Sequence, residues 1–167
     1  VMAAEETASG ITTNNISGWP QGADVTSTAA VVMEDSTNTT LYAKNADQVL
    51  YPGAAVKVMT TLLALEKTQL TDQVTMTATG VSGVTDGGAN ISAQLDEVFT
   101  IEQCLYAIML ASANDIALQV AEHIGGSVDG FVQMMNSRAA ELGCTNTLFT
   151  NPTGLPDENQ HTTAHDM

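Results

Sequence analysis

Tyr51-Pro52-Gly53-Ala54-Ala55-Val56-Lys57-Val58-Met59-Thr60-Thr61-Leu62-Leu63-Ala64-Leu65-Glu66-Lys67 is the stretch on which the fold turns. It is rich in Ala and Leu, holds no Gly or Pro after Gly53, and has Pro52 just outside its start, which predicts a helix over residues 54–67. Apolar side chains occupy most of its circumference, so this helix is expected to be largely buried. Toward the carboxy terminus, Thr100 and Gln103 have capping-box spacing ahead of a stripe of Ile101, Cys104, Leu105, Ile108 and Met109. A second helix is expected from near Ser112 to Gly125-Gly126. Ser127 then caps a third, with the stripe Val128, Phe131, Val132, Met135, Ala139 and Leu142 and with Gly143 as its stop. Residues 150–167 read as loop broken by Pro152, Gly154 and Pro156, with Thr162 or Thr163 as a start for one more helix.

Toward the amino terminus, an apolar run at 28–34, the turn cluster Asp35-Ser36-Thr37-Asn38 and residues 39–43 predict a β-hairpin. Residues 1–27, with Trp19-Pro20, read as a flexible leader without chemistry. Between 71 and 98, β-like pieces at 74–76 and 91–95 flank a flexible Gly-rich stretch at 80–88. The mixture is an α/β (α+β) pattern. Two strands alone are marginal in water and leave their edges unpaired, so the remaining strands of the sheet are expected from outside these residues.

The 167 residues suit one domain. With 44% hydrophobic and only 4% aromatic residues, a core must come from Ala, Val, Leu, Ile and Met. Four Lys+Arg against 19 Asp+Glu give a net charge of −15, which argues against nucleic acid and against electrostatic attachment to anionic lipid. Two cysteines, Cys104 and Cys144, imply no disulfide framework, and Cys104 on its apolar stripe is expected as a buried thiol. No run approaches the roughly 20 apolar residues of a membrane helix. The amino terminus lacks a charged start followed by an apolar core, so any secretory signal is expected to be removed or never present.

Lys57 sits among Ala54, Ala55, Val56, Val58, Met59, Leu62 and Leu63. Burial there would lower its pKa and make it a general base near neutral pH; the alternative is a stem that covers apolar surface while the head reaches water. Ser112-Ala113-Asn114 sets polar groups between apolar stripes, where buried side chains need partners; the alternative is simple amino-terminal capping by Ser112. His123 belongs to a helix end. His161 and His165, spaced i, i+4, would suit a metal only in a helix and with a third ligand, so neither a metal nor a cofactor is expected. Asp86, Asp96, Glu97 and Glu102 read as a solvated face, and the eight Met as core fillers.

Taken together, residues 51–60 resemble the first active-site motif of the serine-type D-Ala-D-Ala carboxypeptidases, the low-molecular-mass penicillin-binding proteins of bacterial cell-wall metabolism. Ser112-Ala113-Asn114-Asp115 resembles their second motif. Asn136-Ser137-Arg138-Ala139 through Leu142-Gly143, Thr147-Leu148-Phe149-Thr150-Asn151-Pro152-Thr153-Gly154-Leu155 and His161-Thr162-Thr163-Ala164-His165-Asp166-Met167 resemble the stretches that follow. The likeness runs from about residue 29 to the last. It implies a β-lactamase/transpeptidase-like fold over residues 28–167, present as the amino-terminal hairpin of the sheet and a helical subdomain over about 54–167.

The resemblance implies a serine nucleophile at position 54, Lys57 as its proton acceptor, Ser112 as a proton relay to the leaving amine, and Asn114 holding the substrate amide. Position 54 is Ala54, which has no oxygen to attack a carbonyl, so acyl-enzyme chemistry is excluded for the sequence as written. An intact motif around a lost nucleophile fits a deliberate substitution better than decay. The family's third motif, Lys-Thr-Gly, does not occur in this sequence, which agrees with the expectation of absent strands. Implied partners are peptidoglycan stem peptides ending in D-Ala-D-Ala, β-lactams, and a complementing carboxy-terminal fragment or a swapped copy. The implied location is the extracellular or periplasmic face of the membrane or the cell wall. Two alternatives stay open: a serine β-lactamase, with Glu158 as the loop carboxylate, and a non-catalytic wall-binding module with Ala54 native.

Overall fold

A computed structural model describes residues 11–12, 22–23, 25–84 and 88–167, and the chain divides into two compact units. Trp19-Pro20 and Asp86 lie outside the described residues.

The first unit joins Val1–Leu50 to Thr162–Met167. Its hairpin is β2 (Ala30–Glu34) and β3 (Thr39–Lys44), and Ile11–Thr12 adds β1, so the strand order is β1-β3-β2, all antiparallel. The sequence reading places no strand before residue 28. Val32 faces Tyr42 and Met33 faces Thr40, so the register shifts between Val32 and Met33. The polar turn closes on Glu34, whose carboxylate accepts from the backbone and hydroxyls of Ser36 and Thr37; the Thr37 and Ser36 hydroxyls pull its pKa down to about 2. No helix starts at Thr162 or Thr163. Instead Thr162 exchanges backbone hydrogen bonds with Leu50 at 2.8 and 2.9 Å.

The second unit, Tyr51–His161, is mostly helical. A 3₁₀ turn, Gly53–Ala55, leads into α1 (Val56–Lys67). After it come β4 (Gln73–Thr75), α2 (Ala78–Gly83), β5 (Val98–Thr100), α3 (Ile101–Ala111), α4 (Asn114–Gly125) and α5 (Val128–Glu141). The strand expected at 91–95 is not formed; β4 pairs with β5 instead, with Val74 opposite Phe99. Part of the stretch expected to be flexible, 80–88, belongs to α2. Thr77 caps that helix, and Thr77 and Thr79 hydroxyls donate to the Glu122 carboxylate of α4 at 2.6 and 2.5 Å. Those hydrogen bonds, Thr77 first, lower the Glu122 pKa.

Helix α4 is the centre of this unit, packed by α1, α2, α3 and α5. Its small residues let it serve two cores at once. Ala113, Ile116, Ala117 and Val120 join Ala64, Val74, Ile101, Cys104 and Ile108 in one, while Ala121 joins Val56, Met59, Leu63, Phe131 and Met135 in the other. Buried Cys104 has its thiol pKa pushed up to about 12 by desolvation. The predicted stripes hold except at their ends, where Met109 and Leu142 are exposed. No described helix is long and apolar enough to cross a membrane.

Candidate active site

Ala54 lies exposed in the 3₁₀ turn that opens α1, and Lys57 follows it by three residues, in the first turn of the helix proper. Lys57 is 5% exposed, and its Nζ donates to the Thr153 carbonyl oxygen at 2.5 Å. Desolvation therefore holds its pKa below the usual lysine range. One turn of residues away, buried Thr60 donates its hydroxyl to the Pro152 carbonyl at 2.7 Å. Two adjacent loop carbonyls thus fasten the start of α1.

The loop that supplies those carbonyls is held from within. Asn151 Oδ1 accepts from the Thr153 N–H at 3.2 Å, the Thr153 hydroxyl at 2.9 Å and the Gly154 N–H at 2.8 Å. Asn151 Nδ2 donates to the Leu155 carbonyl at 3.0 Å. Buried Gln160 accepts from the Thr150 and Asn151 N–H groups. The Tyr51 hydroxyl accepts from the Asp157 N–H and donates to the Leu155 carbonyl. Gly154 has φ +79, and a Cβ there would sit 1.9 Å from the Gly53 carbonyl oxygen, so only glycine lets the loop close against the turn that bears Ala54.

Ser112 and Asn114 flank the junction of α3 and α4, two helices that both pack on α1. Ser112 is not the amino-terminal cap of α4. It is the residue that ends α3, at φ 53 and ψ 33, and Ala113 precedes α4 in extended conformation without a side-chain cap bond. A left-handed serine is a strained position, of the kind that collects at functional sites. Asn114 is buried; its N–H donates to the Ala89 carbonyl at 2.8 Å, and a Cβ on Gly88 would lie 2.6 Å from its Nδ2. Its Oδ1 is buried and finds no hydrogen-bond partner among the described residues. The polar cluster is networked through Asp115 instead: this buried carboxylate accepts from the N–H groups of Ile91, Ala93 and Ile116.

Other candidates stand apart. Glu158 is exposed on a turn at 158–159. His123 is in the last turn of α4. The 161–165 segment is not helical, so His161 and His165 do not share a helix face: the first meets the Asn159 carbonyl and the second the Asp47 carboxylate. Sequence reasoning missed Asn151, the Thr153 carbonyl, Gly88 and Asp115. The turn signals Asn151-Pro152 and Thr153-Gly154 marked a tight bend, but a backbone carbonyl has no letter of its own.

A buried lysine three residues after position 54 is held by the 151–155 loop, and a serine–asparagine pair stands at the α3–α4 junction, between two helices that pack on α1. The D-alanyl-D-alanine carboxypeptidase family profile matches residues 15–167. The chain belongs to this family. Among its relatives, D-alanyl-D-alanine carboxypeptidase DacF of Bacillus subtilis is 39% identical over 144 residues, covering 83% of this chain and 36% of the relative. DacA of Haemophilus influenzae is 32% identical over 148 residues, covering 86% and 38%. Penicillin binding protein 5 from Haemophilus influenzae superposes with a TM-score of 0.81 at 30% identity, covering 88% of this chain and 44% of that one. Penicillin binding protein 6B from Escherichia coli gives 0.84 at 25% identity, covering 91% and 50%. The fold is therefore that of the penicillin-binding proteins, and the chain spans well under half the length of the curated relatives named here.

Proposed function

We propose that this chain, over residues 28–167, is the amino-terminal part of a peptidoglycan D-Ala-D-Ala carboxypeptidase domain, preceded by a leader at 1–27. It acts at the extracellular or periplasmic face of a bacterial envelope. The substrate is a stem peptide ending in D-Ala-D-Ala, and β-lactams occupy the same site. With serine at position 54, neutral Lys57 accepts the hydroxyl proton as Oγ bonds to the penultimate D-Ala carbonyl carbon. Ser112 passes a proton to the terminal D-Ala nitrogen as the C–N bond breaks, and water then cleaves the resulting ester. Asn114 accepts from the substrate amide through its Oδ1. With Ala54 the Oγ–C bond cannot form, so the site binds without turning over.

The observation that carries this reading is the buried Lys57 amine on the Thr153 carbonyl, one turn from position 54. The buried Oδ1 of Asn114, without a hydrogen-bond partner among the described residues, supports it further, since a buried acceptor calls for a donor. The Lys-Thr-Gly strand of the family set does not occur in this sequence, so the reading includes a segment that supplies it, from the same polypeptide or a complementing fragment. The test is D-Ala release from a diacetyl-Lys-D-Ala-D-Ala peptide by the Ala54→Ser protein supplied with that segment. Release that the Ala54 protein lacks is expected. A folded, complemented revertant that frees no D-Ala overturns the reading.

A further inference from the structure

We infer that Asn151 is a positioning residue for Lys57, fixing the Thr153 carbonyl that receives the lysine amine. This deepens the carboxypeptidase reading and rests on it for its meaning, though its test does not require turnover. Lys57 leaves the helix on a flexible four-carbon stem, so the helix alone does not define where its nitrogen sits. The nitrogen is defined by the Thr153 carbonyl 2.5 Å away. The orientation of that carbonyl follows from the residues on either side. Asn151 Oδ1 holds the N–H and hydroxyl of Thr153 and the N–H of Gly154, so it clamps the peptide planes on both sides of the Thr153 Cα, the second of which contains the Thr153 carbonyl. Thr153 is itself buried, and its hydroxyl also accepts from the Leu155 N–H at 3.2 Å. Asn151 meets neither Lys57 nor position 54 in any of these bonds; it works through one carbonyl.

The experiment is competitive amine acylation of the folded chain at mild pH, with peptide mass spectrometry reading Lys57 against exposed Lys67 as internal reference. In the unaltered chain Lys57 is acylated slowly. Asn151→Ala is expected to raise the Lys57 rate about tenfold relative to Lys67, because local opening releases the amine. Ile108→Val, in the other core, lowers global stability and is expected to leave the ratio unchanged, which separates positioning from general loosening. Should Asn151→Ala not fold, Thr153→Val removes one Asn151 bond and is expected to raise the ratio about threefold. A folded Asn151→Ala protein whose Lys57 ratio equals that of Ile108→Val overturns the inference. Failure of D-Ala release with a raised Lys57 ratio would instead count against the carboxypeptidase reading alone.

Discussion

Lys57 is a cation that its surroundings resist, and that resistance has a sign. Its pKa in the folded chain is lowered from 10.5 by burial, so between the lowered value and 10.5 the unfolded chain binds more protons than the folded one. Stability from this residue therefore rises with pH across that window and is least below it. Denaturant titrations of the chain and of Lys57→Met should show their stability difference shrinking or reversing in slope with pH there; a flat difference would place the amine in water. Ser112 gives a second residue-scale expectation. A serine at φ 53 carries left-handed strain that glycine would not, so Ser112→Gly should stabilise the fold by about 1 kcal/mol in urea denaturation. In an Ala54→Ser background supplied with the Lys-Thr-Gly segment, the same substitution should cost D-Ala release, the trade expected where strain serves chemistry.

At the scale of elements, the helix junctions decide more than the helices. Asp115 in the first turn of α4 holds the segment around Ala89, Ile91 and Ala93, and Ala89 in turn holds the Asn114 N–H. Asp115→Ala would leave buried N–H groups unpaired, at a cost of about 2 kcal/mol by denaturation, and would raise hydrogen exchange at Ile91 and Ala93. Exchange unchanged at those two amides would remove Asp115 from this role. The helices themselves are legible in the sequence. Thr100 and Gln103 form the capping box their spacing announces, and Ser127 accepts from the Gly130 N–H as a cap should. What was not legible depends on tertiary contacts. Ser112 before an apolar run reads as an amino-terminal cap, yet the Ser112 and Ala113 N–H groups both reach back to the Ala107 carbonyl and turn the chain left-handed. Residues 91–95 alternate like a strand, but Asp115 claims the Ile91 and Ala93 N–H groups that a ladder would need. The 150–160 loop read only as breakers, because its order lies in side-chain bonds from Asn151 and Gln160 to its own backbone.

On the scale of the whole molecule, four cations against 19 carboxylates leave little positive charge to spare. Arg138 is engaged by Glu66 and Glu141 on the surface, while Lys57 is buried. A lysine placed at some energetic cost in the interior, three residues after position 54, is the point on which the fold and the proposed reading converge. That convergence can be tested in one measurement: intact mass after exposure to a penicillin, on the Ala54→Ser protein supplied with the Lys-Thr-Gly segment. One equivalent of added β-lactam mass is predicted for Ala54→Ser, with none for the Ala54 protein and none for Ala54→Ser with Lys57→Ala. A folded Ala54→Ser protein that gains no mass, or one that gains it equally without Lys57, would contradict the account.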